Sequence, residues 1–152
     1  MSQRKTATDL SKGLAETLGH SFAQTDLLHA ALTHPSAAPR AAKRALLSAR
    51  LGYERLEFLG DRVLGLILAD ELYQAYPDEN EGALAKRLAA LARQETLAAV
   101  ARSAHLGDHL ILSSGESDAG GRDNPALLSD ACEAVIGAIY LDGGLDAAGQ
   151  FI

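Results

Sequence analysis

The sequence contains one cysteine, no tryptophan and few other aromatic residues. A single cysteine, Cys132, excludes a disulfide bond within the chain and fits a reducing cytoplasm. No apolar run is long enough to span a membrane, and the N-terminal residues do not resemble a signal peptide. We therefore expect a cytoplasmic protein with no membrane partner. β-Branched residues are also few, whereas alanine and leucine abound, which favours an all-α fold.

The sequence also lacks a surplus of positive charge. Its 152 residues include 14 Lys and Arg against 20 Asp and Glu, a net charge of −6. This sign is unfavourable for a domain that binds nucleic acid by electrostatics alone. A nucleic-acid enzyme of this composition needs metal ions, a dimer groove or a separate basic module. The length suits one domain, predicted over residues 1–152, with a loop or irregular insertion at 36–51.

Apolar spacing and boundary residues predict a succession of helices. Leucines at 10, 14 and 18 form the stripe of a first helix, and Thr25 and Asp26 are expected to cap a short second one. A long helix should run from about Tyr53 to Tyr76, where Pro77 stops it. Residues 78–82 should open the next helix, with Asp78 and Glu79 as capping acids, and this helix should turn its leucines inward.

The second half of the chain is predicted to continue in the same way. A helix from about residue 94 should end at Gly107, followed by a short extended piece at 110–112 and a flexible polar loop at 113–124. Pro125 should start a second long helix. We expect that helix to end at residues 142–144.

Both long helices carry acids that have no basic partner at helical spacing. Glu54, Glu57 and Asp61 fall within roughly 60° of one another on the first helix, and Asp130 and Glu133 are three residues apart on the second. No Lys or Arg lies three or four residues from Glu57, Asp61, Asp130 or Glu133. Acids spaced in this way repel one another. A divalent cation with oxygen ligands, Mg²⁺ above all, is the natural partner.

The segment Glu54-Arg55-Leu56-Glu57-Phe58-Leu59-Gly60-Asp61 strongly resembles the signature of the ribonuclease III family. Residues 31–34 (Ala-Leu-Thr-His) resemble an early helix of that family, and residues 130–144 resemble its second acidic motif. The order and separation of the motifs agree as well. The chain departs from the family pattern at Tyr53, often Asn in relatives, and at Arg62, often Ser.

The resemblance implies an all-α homodimeric endonuclease domain that cleaves double-stranded RNA with Mg²⁺, for which Mn²⁺ can substitute. It implies that Glu57, Asp61, Asp130 and Glu133 form the catalytic metal site, that Glu54 and Glu81 are supporting acids near the scissile strand, and that Phe58 lies at the subunit interface. The expected products have 5′-phosphate and 3′-hydroxyl ends with a short 3′ overhang, as in rRNA and mRNA processing. The double-stranded-RNA-binding domain that usually follows is absent from these 152 residues.

The expected chemistry is metal-assisted hydrolysis of an RNA phosphodiester, because no side chain offers a nucleophile beside a base. Two alternatives remain open from the sequence. An all-α nucleotide pyrophosphohydrolase would also place paired acids on two helices around Mg²⁺. A non-catalytic, dimeric RNA-binding or scaffolding protein of the same fold would bind duplex RNA without cutting it.

Four further residues suggest function but are given structural interpretations. His34 precedes a proline at a helix end and is interpreted as a packing or capping residue. His105 and His109 lack an acidic ligand set at metal spacing and are expected to be exposed to solvent. Cys132 faces away from Asp130 and Glu133 and is interpreted as a core residue.

Overall fold

A computed structural model describes residues 7–37 and 52–152 of the chain. These residues are mostly helical, and the β-structure found among them is an isolated parallel bridge between Thr33 and Ile111. The all-α prediction and the extended piece at 110–112 are therefore confirmed. None of the helices in the described ranges is long and apolar enough to cross a membrane. Apart from its first two residues, the insertion predicted at 36–51 lies outside the described residues.

The helices are numbered here in chain order. They are α1 (Ala7–Leu18), α2 (Thr25–Leu32), α3 (Tyr53–Ala75), α4 (Glu81–Leu91), α5 (Gln94–Ser103), α6 (Leu106–His109), α7 (Ser114–Asp118) and α8 (Pro125–Phe151), with single 3-10 turns at Pro35–Ala37 and Gly121–Asp123.

Helix α8 forms the centre of the fold. Its middle turns are buried on every side, as a helix that is apolar all round requires. Asn124 caps its N-terminus, because the Oδ1 atom accepts hydrogen bonds from the backbone N–H groups of Ala126 and Leu127. Pro125 occupies the first turn, as predicted. The predicted end is confirmed as a break at Gly144, where φ is 82°, although helical structure resumes beyond it.

Two glycines allow α3 and α8 to touch backbone to backbone. A Cβ atom at Gly60 would overlap the carbonyl group of Glu133, and one at Gly137 would overlap the carbonyl group of Leu56. Both glycines lie in or next to the acidic motifs. The close contact therefore fixes how the acids of one helix stand relative to those of the other.

Asp142, in the C-terminal half of α8, binds the segment that connects α1 to α2. Its carboxylate, with a side chain only 2% exposed, accepts hydrogen bonds from the backbone N–H groups of Ala23 (3.0 Å) and Gln24 (2.8 Å) and contacts His20 Nε2 at 2.8 Å. Burial alone would raise the pKa of Asp142, but these hydrogen bonds outweigh it and lower the pKa. The contact also explains the start of α2, where Gln24 occupies the cap position and no side chain caps the helix, contrary to the prediction for Thr25 and Asp26.

Helix α4 starts within the predicted segment 78–82, but its capping residue differs from the prediction. Asn80 caps the helix, with its Oδ1 atom accepting from the N–H group of Ala83 at 3.0 Å. Glu79, which was predicted to cap, instead accepts two hydrogen bonds from the guanidinium group of Arg87, both at 2.7 Å. That guanidinium also lies 3.8 Å from the centre of the Tyr76 ring.

The leucines of α4 are not in the core. Leu84 and Leu88 are half-buried and Leu91 is 41% exposed. The residues that the structure describes therefore cover only part of the face that was predicted to point inward. Between α3 and α4 lies an open depression of about 480 Å³. It is lined by Asp61, Arg62, Gly65, Ala85, Leu88, Ala89 and Ala92.

Two predictions for the segment after α4 were wrong. Helix α5 ends at Ser103, before Gly107, because His105 takes a left-handed conformation with φ 54°. Gly107 is instead needed because a Cβ atom at this position would overlap the carbonyl group of Arg122. The polar segment 113–124 is not an irregular loop, because it contains α7, capped by the Ser113 hydroxyl, and a 3-10 turn.

Candidate metal centre

Three carboxylates from two helices meet at the contact between α3 and α8. Glu57 on α3 and Asp130 and Glu133 on α8 each offer an oxygen within 4.8 Å of the others. All three side chains are half-buried. Within residues 7–37 and 52–152, none of the three forms an ion pair or a hydrogen bond, so the cluster carries uncompensated negative charge.

The pKa values of these acids reflect their crowding. Burial, followed by the negative charges of Asp61, Glu57 and Asp130, raises the pKa of Glu133 to about 7. Burial, followed by Asp130, Glu54 and Asp61, also raises the pKa of Glu57. Burial raises the pKa of Asp130, while the nearby His34 acts in the opposite direction. The surroundings of all three carboxyl groups therefore disfavour their charged forms, and a bound cation would offset this effect.

Asp61 lies beside this cluster, but its carboxylate forms an ion pair with Arg62. Its Oδ2 atom is 2.8 Å from Nη1 of Arg62, in a pair whose side chains are 46% and 69% exposed. Its charge still acts on Glu133 and Glu57. Helical spacing gives no base for Asp61, because neither Lys nor Arg lies three or four residues from it. An arginine next in sequence pairs with it instead.

The other predicted site residues are exposed. Glu54 lies one turn before Glu57 and is close enough to raise the pKa of that residue. Glu81 is the first residue of α4. The Phe58 ring is 66% exposed, so it is not an ordinary core residue, and the guanidinium of Arg62 lies 5.3 Å from its centre.

Two further residues near the acids, His34 and Tyr53, were not predicted as part of the site. His34 has the predicted capping role, because its Nδ1 atom accepts a hydrogen bond from the Ser36 N–H group at 3.1 Å. It also lies close enough to Asp130 to act on the pKa of that residue. Its ring meets the ring of Tyr53 edge to face, with 5.8 Å between centres. The sequence signal for Tyr53 was its position four residues before Glu57, which places both on one side of α3.

The remaining residues singled out in the sequence are structural. Cys132 is 1% exposed, as predicted, and burial together with the charge of Glu133 raises the pKa of its thiol to about 12. His105 is exposed, but His109 is half-buried, so the prediction for it was wrong. Arg122, from the segment predicted to be a polar loop, donates hydrogen bonds to the carbonyl oxygens of Gly107 and Leu110 and so supports α6.

A family model described as Ribonuclease-III-like matches residues 24–152, which include both acidic motifs. The chain belongs to the ribonuclease III family. Ribonuclease 3 from Rhodopseudomonas palustris is 52% identical over 141 residues, covering 91% of this chain and 49% of that protein. Ribonuclease 3 from Nitrosococcus oceani is 45% identical over 145 residues, covering 95% of this chain and 58% of that protein. The chain thus spans about half the length of the curated relatives it matches.

Solved structures of the family agree with the fold. The nuclease domain of ribonuclease III from Campylobacter jejuni is 38% identical and superposes with a TM-score of 0.82, covering 92% of this chain and 91% of that one. That structure shows structural flexibility in the region involved in dimer formation of that nuclease domain. A second structure of the same domain, at 2.2 Å resolution, gives a TM-score of 0.81. The whole described fold is therefore that of a ribonuclease III nuclease domain.

Proposed function

We propose that this chain is the catalytic domain of a Mg²⁺-dependent endoribonuclease that cleaves double-stranded RNA. The observation that carries the proposal is the cluster of Glu57, Asp130 and Glu133 in a chain of the ribonuclease III family. Paired acids without a cation destabilise the fold, and a hard divalent cation with oxygen ligands removes that penalty. Mn²⁺ has similar ligand preferences and is expected to substitute for Mg²⁺.

The donor set fits such a cation. Glu57, Asp130 and Glu133 would hold it, and Asp61 would join them by leaving Arg62. That exchange costs little, because exposed ion pairs contribute about 0–1 kcal/mol. When bound, the cation supplies charge neutralisation at the scissile phosphate and activation of water. Glu54 and Glu81 are proposed as supporting acids near the cleaved strand.

The proposed products carry 5′-phosphate and 3′-hydroxyl ends with short 3′ overhangs, as expected for a cytoplasmic enzyme of rRNA and mRNA processing. A staggered double-strand break needs two cutting sites. We infer that a homodimer provides them, one on each subunit, and that the second subunit covers the exposed Phe58 and the depression between α3 and α4. The half-covered leucines of α4 and the dimer-forming region of the Campylobacter domain support this inference.

The decisive experiment is a cleavage assay on duplex RNA with Mg²⁺ and with a chelator. We expect Mg²⁺-dependent cleavage by the wild type and its loss in Glu133→Ala and in Asp61→Asn, while both variants stay folded. Asp146→Ala, which removes an exposed acid from the same helix α8, is the matched control and should keep full activity. Full Mg²⁺-dependent activity in Glu133→Ala would overturn the proposed metal site.

The same assay separates the two alternatives. A nucleotide pyrophosphohydrolase would hydrolyse nucleoside triphosphates and leave the RNA intact. A non-catalytic family member would bind duplex RNA in saturating Mg²⁺ or Mn²⁺ without cutting it. The family match over residues 24–152 and the retained acids argue against both.

A further inference from the structure

Tyr53 presents a buried hydroxyl group with no visible partner. Its side chain begins helix α3, and the residue is only 8% exposed. The Oη atom itself is fully buried, and no residue in the described ranges forms a hydrogen bond with it. Folded proteins pair nearly all such groups, since an unpaired one costs about 1–3 kcal/mol. The hydroxyl therefore needs an explanation.

The surroundings of this hydroxyl are those of the acid cluster. Burial, followed by the negative charges of Asp130, Glu57 and Glu133, raises the pKa of Tyr53 far above its ordinary value. The phenol is thus a neutral group that keeps its proton. It can donate one hydrogen bond, and Asp130, Glu57 and Glu133 are all near enough to act on it.

The position of the ring is fixed from the other side. His34 packs edge to face against it, and the histidine ring is itself held by Ser36, whose Oγ lies 2.8 Å from Nδ1. The Ser36 hydroxyl accepts a further hydrogen bond from the N–H group of Ser113 at 3.1 Å. A chain of contacts from two separate segments therefore holds the phenol beside the acids.

We propose that Tyr53 is a positioning residue of the cation site, whose hydroxyl donates a hydrogen bond to one of the carboxylates of Glu57, Asp130 and Glu133 when these hold a divalent cation. The inference rests on the proposed function. Carboxylates that bind a metal are themselves hydrogen-bonded by outer partners, so a fixed donor beside the cluster has an acceptor once the cation orders the carboxylates. Such outer partners typically change metal affinity 10–100-fold.

The test is Tyr53→Phe, which removes one oxygen atom and keeps the ring packed against His34. Mn²⁺ binding is followed by electron paramagnetic resonance of the free ion, and thermal unfolding is measured without divalent cations. We expect Mn²⁺ affinity to fall about tenfold. The cation-free unfolding midpoint should stay the same or rise, since no existing hydrogen bond is lost. If Tyr53 had only a packing role, Tyr53→Phe would not lower the Mn²⁺ affinity while leaving the cation-free unfolding midpoint unchanged.

Tyr140→Phe is the matched control, because Tyr140 is half-buried on α8, and its Mn²⁺ affinity should equal that of the wild type. Unchanged Mn²⁺ affinity in Tyr53→Phe, with normal binding by the wild type, would overturn this inference and leave the proposed function standing. A lowered cation-free midpoint would also overturn it, because the hydroxyl would then already have a partner. Failure of the wild type to bind Mn²⁺ or Mg²⁺ would overturn the proposed function as well.

Discussion

Glu133 shows how the fold changes the chemistry of a single side chain. Its pKa is raised to about 7 by burial and by neighbouring acids, from 4.5 for an ordinary glutamate. Between these pH values the folded chain binds more protons than the unfolded chain. The stability of the cation-free protein therefore falls as the pH rises through this window, and it stays lower above it. A bound cation reverses the penalty.

We predict that Glu133→Gln stabilises the cation-free protein at pH 8. A neutral amide of the same shape removes one charge from the cluster. A one-unit shift corresponds to about 1.4 kcal/mol, and solvent screening at a half-exposed site reduces the effect. We therefore expect the free energy of unfolding in urea to rise by about 1–2 kcal/mol at pH 8, with the gain disappearing near pH 4. Glu71→Gln, at an exposed position on α3, should show no such pH dependence. A less stable Glu133→Gln at pH 8 would contradict the prediction.

Only the resemblance to the ribonuclease III family implied that Glu57, Asp130 and Glu133 form one site, whereas helical spacing showed that each of them lacks a base three or four residues away. Helical spacing was not sufficient for Asp61, whose arginine partner is its neighbour in sequence. Nor could it identify Tyr53 and His34 together. Their contact depends on how the end of α2 packs near the start of α3, which no local pattern encodes.

Among the elements, the contact of α3 with α8 depends on glycine. We predict that Gly60→Ala destabilises the protein by about 3 kcal/mol or more, because the new methyl group would overlap the backbone of Glu133. The free energy of unfolding in urea measures the effect.

Gly149→Ala on α8 is the control for this substitution. No atom lies within 4 Å of a Cβ placed there, so the change should be neutral or stabilising by up to about 1 kcal/mol. Equal stability of Gly60→Ala and the wild type would show that the two helices can separate without cost.

Helix boundaries were predicted best at proline and glycine residues. Pro77, Pro125 and Gly144 mark the ends of the long helices, because proline lacks an N–H group and glycine accepts a positive φ. Helix α7 was missed because Ser, Gly and Asp favour loops. The Ser113 cap and the close contact of Gly121 with Glu116 hold it in place instead. The leucines of α4 fit a helix pattern, but such a pattern does not distinguish burial within one chain from burial against a second subunit.

At the scale of the whole molecule, the proposed dimer would explain how a chain of net charge −6 binds a polyanion such as double-stranded RNA. Cations at the acid clusters would reduce the negative charge of a shared groove. We predict that Phe58→Ala weakens dimerisation about 30-fold, equivalent to about 2 kcal/mol for a buried aromatic anchor. Cleavage should fall with it, while Mn²⁺ affinity changes little. Sedimentation equilibrium measures the dimer constant.

The control for Phe58→Ala is Tyr73→Ala, which removes another exposed aromatic ring from α3. It should leave the dimer constant unchanged. A wild-type domain that sediments as a pure monomer at micromolar concentration and still makes staggered cuts would refute the dimer.

The packing of α3 against α8 also determines when the acid cluster can form during synthesis of the chain. A ribosome makes the chain from its N-terminus, so Glu57 and Asp61 are made well before Asp130 and Glu133. A nascent chain that ends before α8 holds the acids of one helix only. The three-carboxylate cluster therefore cannot form until α8 has been made and has packed against α3. An unfinished copy of the chain consequently lacks the proposed cation site.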